Sequence, residues 1–180
     1  MIRTLLIICC FFTLQQDESV ISWHASYKLV WDDFKGKPNN NIEPVATTAS
    51  GITFGFSVTK TEDDQVVSFT SEVFAHFYPE HSWYKPELAN NHILGHEQLH
   101  FDITELHVRK FRQRIKQLEV SNTLEKDLNK IHLTINKELA QMQDNYDDET
   151  DYSRNFESQA KWQTNITDAL DKLSVYKSIE

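Results

Sequence analysis

The feature that most constrains this chain is a pair of histidines four residues apart with a glutamate after the first: His96-Glu97-Gln98-Leu99-His100. On a helix, positions i and i+4 share a face, so both imidazoles can reach one metal ion. Zinc takes neutral imidazole nitrogens readily and keeps a position open for water where it is catalytic. Glu97 lies one step round the helix from His96, where it can take a proton from water at that metal without being a ligand. The competing reading is two surface histidines on an amphipathic helix. The motif's place in a helical segment, at the head of a long helix able to hold both ligands rigidly, weighs against it.

The flanking sequence divides into two halves. From Ile21 to about Trp83 it reads as strands and turns. Ile52, Phe54, Phe56 and Val58 alternate with Thr53, Gly55 and Ser57, the period of a half-buried strand, and residues 66–78 follow a polar connection at 61–65 as one or two more strands. Asp32 to Asn41 is dense in turn residues. After Pro86 the period is helical. A first helix is expected from about Glu87 to Val120, broken near Gly95, with His96, His100, Ile103, His107, Phe111, Ile115 and Leu118 along one stripe. A second starts near Asn122, with Leu124, Leu128, Ile131, Ile135, Leu139, Met142 and Tyr146 on one face. A polar acidic loop is expected over 147–153. A third helix follows, from about Asn155 to Leu173, turning Phe156, Trp162, Ile166, Ala169, Leu170 and Leu173 inward. The fold class expected is α+β and zincin-like: an N-terminal, antiparallel-rich sheet, then three helices, the first carrying the His-Glu-x-x-His motif.

A catalytic zinc needs a third protein ligand. His107 lies about 10 Å along the helix from His100, too far to join the same ion. Ile103 and Leu106 stand where the extended three-histidine motif needs glycine and histidine, which rejects that subclass. Glu119 and Glu125 are roughly 30 Å from His100 at helical rise. Helices joined by a short turn are usually antiparallel neighbours, so the second helix returns to the level of the histidines near residues 145–152. Asp147, Glu149 and Tyr152 are the donors this leaves. All three stay open as the third metal residue, and Glu97 is the catalytic base. Asp102, two residues past His100, points away from the metal face and reads as structural. His107 and His132 read as boundary or surface histidines, and Trp31, Trp83 and Trp162 as core or groove aromatics.

A net charge of -9 argues against a nucleic-acid partner, which needs a basic patch to displace phosphate counterions. At the start of the chain, Arg3 precedes an almost wholly apolar run from Leu5 to Leu14, too short to span a membrane but fitted to a signal peptide. The domain reading is therefore a signal peptide over 1–18 and one domain over 19–180. Cys9 and Cys10 fall inside the leader, so a processed chain has no cysteine to pair. Ile8 and Cys9 are poor residues before a lipidated cysteine, which argues against a lipid anchor. The expected location is periplasmic or extracellular, with no transmembrane segment in the mature chain.

Three blocks resemble a bacterial family of unknown function described as secreted, zinc-dependent protease-like proteins. The first is Leu29 to Gly36 with Ala46-Thr47-Thr48 behind it. The second is Ser82-Trp83 with His96 to Ile103. The third is Tyr146 to Thr150 with Gln159 and Trp162. The resemblance implies a zincin-like domain, exported from a bacterial cell, with one zinc ion and peptidase activity on a peptide or protein substrate. The sequence departs from that pattern once: Tyr152 stands where a histidine is expected, two residues after Thr150, so the resemblance puts Tyr152 forward as the third metal residue, with Glu149 or Asp147 as the alternative. That departure favours the alternative reading, an exported, non-catalytic binding or envelope protein with a degenerate metal site. Mass spectrometry of protein recovered from producing cells is expected to show loss of about the first fifteen to twenty residues. A cytoplasmic product with Met1 intact would contradict the leader.

Overall fold

The computed structural model describes residues 19–178, so the expected leader, with Cys9 and Cys10, lies outside the described residues. The strands are β1 (Ile21–Ser22), β2 (Ala46–Thr47), β3 (Ser50–Lys60), β4 (Val66–Phe77) and β5 (Trp83–Tyr84), and the helices are α1 (Asn91–Ile115), α2 (Leu124–Thr150) and α3 (Phe156–Lys172). The architecture is α+β: antiparallel sheets followed by three helices. One sheet has the order β1-β4-β3, and β2 pairs with β5 in a second. No helix among the described residues is long and apolar enough to cross a membrane.

The alternation in β3 does what its period dictates. Register pairs Ile52 with Ala75, Phe54 with Val73, Phe56 with Ser71 and Val58 with Phe69, placing these residues on the face that packs against the helices. The connection at 61–65 closes as a turn, with Thr61 N–H bonded to Gln65 O at 2.9 Å. From this sheet, Phe54 meets Phe111 of α1 at 4.7 Å between ring centroids, and Phe77 meets Phe101 at 5.8 Å.

α1 is shorter than expected and is not broken at Gly95. Asn90 caps it by accepting from the amides of His92 (2.9 Å) and Ile93 (3.0 Å). Gly95 continues the helix where α3 passes close: a Cβ there would lie 3.5 Å from Nε2 of Gln163. The single stripe expected for α1 is a second point of difference. The sheet covers one side of α1 while α2 and α3 cover the other, so Phe101, Ile103, Leu106, Val108 and Phe111 are all buried. Several of its polar residues are consumed as internal ties. Asp102 accepts from Trp23 Nε1 (2.7 Å) and Gln98 Nε2 (2.8 Å), fixing the N-terminal segment to the helix. Buried Glu105 and Arg109 pair at 2.8 Å, and Arg109 also donates to Leu170 O. His107, expected at a boundary or surface, is fully buried.

α2 starts at Leu124. Asn122 does not cap it but reaches the hairpin, accepting from Val66 N–H (2.9 Å) and donating to Gln65 Oε1 (2.8 Å). Its expected apolar face is the buried one, from Leu124 through Leu128 and Ile135 to Tyr146. The acidic stretch is mostly not a loop: the helix continues through Asp147, Asp148 and Glu149 to Thr150, whose hydroxyl bonds back to Tyr146 O at 2.6 Å. α3 is capped by Asn155, which accepts from Ser158 N–H at 3.0 Å. Its face turns inward as expected except at Phe156, which is 66% exposed and stacks on His92.

Burial pushes the His107 imidazole down to about 4, outweighing its bond to Ile103 O. The folded value lies below the ordinary 6.5, so as pH falls the unfolded chain protonates first. Stability from this residue is complete above about pH 6.5 and is lost as pH falls through about 4. In His107→Leu, the drop in unfolding free energy between pH 7 and pH 4.5 is expected to shrink by roughly 2 kcal/mol. Denaturant titrations at the two pH values measure it; an unchanged drop would contradict this role.

Candidate metal centre

α1 supplies His96, Glu97 and His100 on one turn-and-a-bit of helix. α2 runs antiparallel against it: Arg114 pairs with Glu138 near one end, and His100 meets Gln143 and Asp147 near the other. The register is set by a buried cluster of Leu99, Ile103 and Leu106 with Leu139, Tyr146 and Ile166. Tyr146 forms the floor beneath the motif. Its ring stacks on His96 (4.4 Å, 21°) and stands edge-on to His100 (4.9 Å, 70°). Burial, then the charges of Glu97 and Asp147, push its phenol far up, so it is a neutral packing group.

Three atoms converge above that floor. Asp147 Oδ1 is 3.1 Å from His96 Nε2 and 3.0 Å from His100 Nε2, and the two nitrogens are 3.2 Å apart. These three residues can hold a metal ion. Zinc bonds of about 2.0–2.1 Å at tetrahedral angles put ligand atoms about 3.3–3.4 Å apart, close to the edges of this triangle. The donor set, two imidazole nitrogens and one carboxylate oxygen, suits such an ion.

The protonation logic points the same way. Gln143 Nε2 donates to His100 O at 2.9 Å, which leaves Gln143 Oε1 to accept from His100 Nδ1. The proton therefore sits on Nδ1, and the Nε2 lone pair of the neutral ring faces the centre. Burial opposes charge on His100, but Asp147, Glu97 and Gln143 outweigh it and carry its pKa upward. Burial also opposes charge on Asp147, but bonds to His100 and His96 and their charges hold its carboxyl well below the usual range. The centre thus draws positive charge, as a proton or as a cation. His96 Nδ1 is buried without a partner among the described residues, so only one of the two rings has a fixed outer acceptor.

A cavity of about 590 Å³ opens on this triangle. Its walls are residues 43–48, the exposed side of the motif, Gln143 and Asp147 of α2, and the turn at 152–154. Glu97 lines it, and its carboxylate makes no hydrogen bond or ion pair among the described residues. Thr48 Oγ1 donates to Glu97 O at 3.2 Å and ties the opposite wall to α1.

Of the donors read from the sequence, the structure brings Asp147 into the triangle with His96 and His100. It does not bring Glu149 there: its Oε2 accepts from Trp162 Nε1 at 2.9 Å on the other side of α2. Tyr152 lines the cavity, 52% exposed, outside the three-atom cluster. Helical geometry explains the difference. Once α2 extends to Thr150, Gln143 and Asp147 are i and i+4 on the stripe of Leu139, whereas Glu149 is turned roughly 200° from Asp147. Gln143 was missed for the same reason: with the stretch read as a loop, nothing placed it beside a ligand. Beyond Thr150, Asp151, Tyr152 and Ser153 all have left-handed backbone (φ 49°, 51° and 72°), costing about 1–3 kcal/mol each. Bonds from Tyr152 N–H to Asp147 O (2.9 Å) and from His92 Nε2 to Ser153 O (2.7 Å) hold that turn.

Asp147→Ala is expected to weaken zinc binding by more than about 100-fold and Gln143→Ala by about 10–100-fold, while Glu149→Gln leaves it unchanged. Competition against a chromogenic chelator reads all three; wild-type affinity in Asp147→Ala would remove Asp147 from the ligand set.

A comparison with protein families matches residues 82–155 to the family described as "Bacterial protein of unknown function (DUF922)". Comparisons with curated proteins and with solved structures found no match. The stretch over which the chain is similar to that bacterial family runs from Ser82 to Asn155 and contains α1, α2 and all three residues of the triangle.

Proposed function

We propose that this protein is an exported, zinc-dependent metallopeptidase of zincin-like architecture, hydrolysing peptide bonds in a peptide or protein substrate. The observation that carries the reading is the convergence of His96, His100 and Asp147 on one point, with the unpartnered carboxylate of Glu97 in the same cavity. Export is proposed from Arg3 and the apolar run Leu5–Leu14.

His96, His100 and Asp147 would hold the zinc, which when bound supplies Lewis-acid polarisation of a carbonyl and a lowered pKa for water. Tyr146 and Gln143 keep the imidazoles aimed. Glu97 accepts a proton from the attacking water as the water oxygen adds to the scissile carbonyl carbon. It then returns that proton to the amide nitrogen as the carbon–nitrogen bond breaks, leaving a carboxylic acid and an amine. The cavity wall at 43–48 and the turn at 152–154 confine the substrate against these groups.

Glu97→Gln keeps shape but cannot accept the proton. It is expected to retain fold and stoichiometric zinc while cleaving peptides at least about 100-fold more slowly, the usual scale for a general base. Unchanged cleavage in Glu97→Gln would contradict the mechanism. Zinc binding by a wild type that cleaves no peptide would favour the exported binding protein instead.

A further inference from the structure

We propose that Glu43 makes the cavity selective for a peptide bearing a cationic group beside the reacting bond, either a lysine or arginine side chain or a free amino terminus. The proposal rests on the peptidase reading for its chemistry, but binding alone can test it.

Glu43 is exposed and lines the cavity that opens on the motif. Its place is fixed from both sides by one buried lysine: Lys85 Nζ donates to Ile42 O at 2.6 Å, and Lys85 N–H donates to Val45 O at 2.8 Å. That ammonium is committed to a backbone carbonyl and forms no ion pair with Glu43. The cation that lines the cavity, Arg154, is also occupied. Its Nε and Nη2 fork onto the Asp151 carboxylate at 3.0 and 2.7 Å. Glu43 and Arg154 both line the cavity, and the charge of Glu43 adds to the larger effect of Asp151 in raising the arginine's pKa.

The charges lining the cavity are therefore unbalanced. Glu43, Glu97 and Asp147 contribute three carboxylates, and the one guanidinium is already neutralised by Asp151. Asp147 is held by the two imidazoles, and Glu97 faces the reacting atoms. Glu43 has no ion pair or hydrogen bond to its carboxylate among the described residues. Pro44, Val45 and Ile93 on the same lining give the methylene stem of a long cationic side chain an apolar surface to lie on. A carboxylate offers only acceptors, so the group it selects is a donor with positive charge.

The test uses the purified zinc-loaded protein and four fluorescent peptides of one sequence. Three have blocked ends and carry Lys, Gln or Glu at the central position; the fourth is the Gln peptide with a free amino terminus. Binding is read by anisotropy and cleavage by mass spectrometry. At about 0.01 M salt the Lys peptide is expected to bind about 5-fold tighter than the Gln peptide and the Glu peptide more weakly than either. The preference should largely vanish at about 1 M salt. Glu43→Gln should bring the Lys and Gln peptides to within about 2-fold, and Glu43→Lys should invert the order in favour of Glu, a gain that misfolding cannot produce. Glu62→Gln, in the β3–β4 turn, should keep the wild-type ratio. Tighter binding of the free-amino peptide than of the Lys peptide assigns the cation to the terminus, and the reverse assigns it to a side chain. Charge-dependent binding without cleavage supports Glu43 while the peptidase reading fails. Cleavage with equal affinities, a preference that survives in Glu43→Gln, or no binding of any peptide at about 1 mM overturns the proposal.

Discussion

Everything proposed for this protein depends on how α2 is registered against α1. Two histidines on one helix face offer a metal two ligands, and two are too few for a catalytic site. The third comes from a separate helix, so its position is only as good as the packing between them. Tyr146 and Leu139 from α2, with Leu99, Ile103 and Leu106 from α1, supply that packing. Tyr146 is fully buried and touches both imidazoles with its ring, so one side chain sets both the helix spacing and the orientation of the ligands. Removing a buried aromatic of this size typically costs about 3–5 kcal/mol, a large share of a domain's net stability. The site and the core are here the same contact.

The rest of the fold holds α1 in place. A buried helix needs partners for its polar groups, and α1 finds many of them in distant segments, His96 Nδ1 and His107 Nε2 being exceptions among the described residues. Asp102 holds Trp23, Arg109 (paired with Glu105 inside the helix) donates to the carbonyl of Leu170, and Arg112 reaches the carbonyls of Val73 and Tyr176. Each joins α1 to an element far away in sequence. The helix carrying the motif is therefore rigid, as a site requires if its ligands are to stay within tenths of an ångström. The turn at 151–153 is the opposite case. Its left-handed residues are held by a few bonds, two of them to Asp147 and His92, beside the cavity mouth.

Much of this was legible in the sequence because periodicity carries it. The alternation of Ile52 to Val58, the face of α2 from Leu124 to Tyr146 and the antiparallel return of α2 to the level of His100 all follow from repeat length and chain geometry. Burial of α1 on every side was not legible, because its charged residues suggest a wet face and only tertiary partners show that they are paired inside. His107 was misplaced for that reason, and Phe156 for the reverse one: an apolar residue at a helix start was assigned inward and instead lies exposed on His92. The end of α2 was misread because 147–151 has the composition of a loop, Asp-Asp-Glu-Thr-Asp, while its conformation is decided by buried Tyr146 and Thr150. The position of the expected histidine put Tyr152 forward and that boundary kept Glu149 open, whereas helical phase, counted from Leu139, favours Gln143 and Asp147.

The central claim is that His96, His100 and Asp147 together bind one metal ion and leave it an open position. X-ray absorption at the zinc edge on the zinc-loaded protein tests that claim most directly. The account predicts one zinc per chain, two imidazole nitrogens and one carboxylate oxygen at about 2.0–2.1 Å, and a further light-atom ligand from solvent. Failure to load stoichiometric zinc, or a spectrum with fewer than two imidazoles, would contradict it.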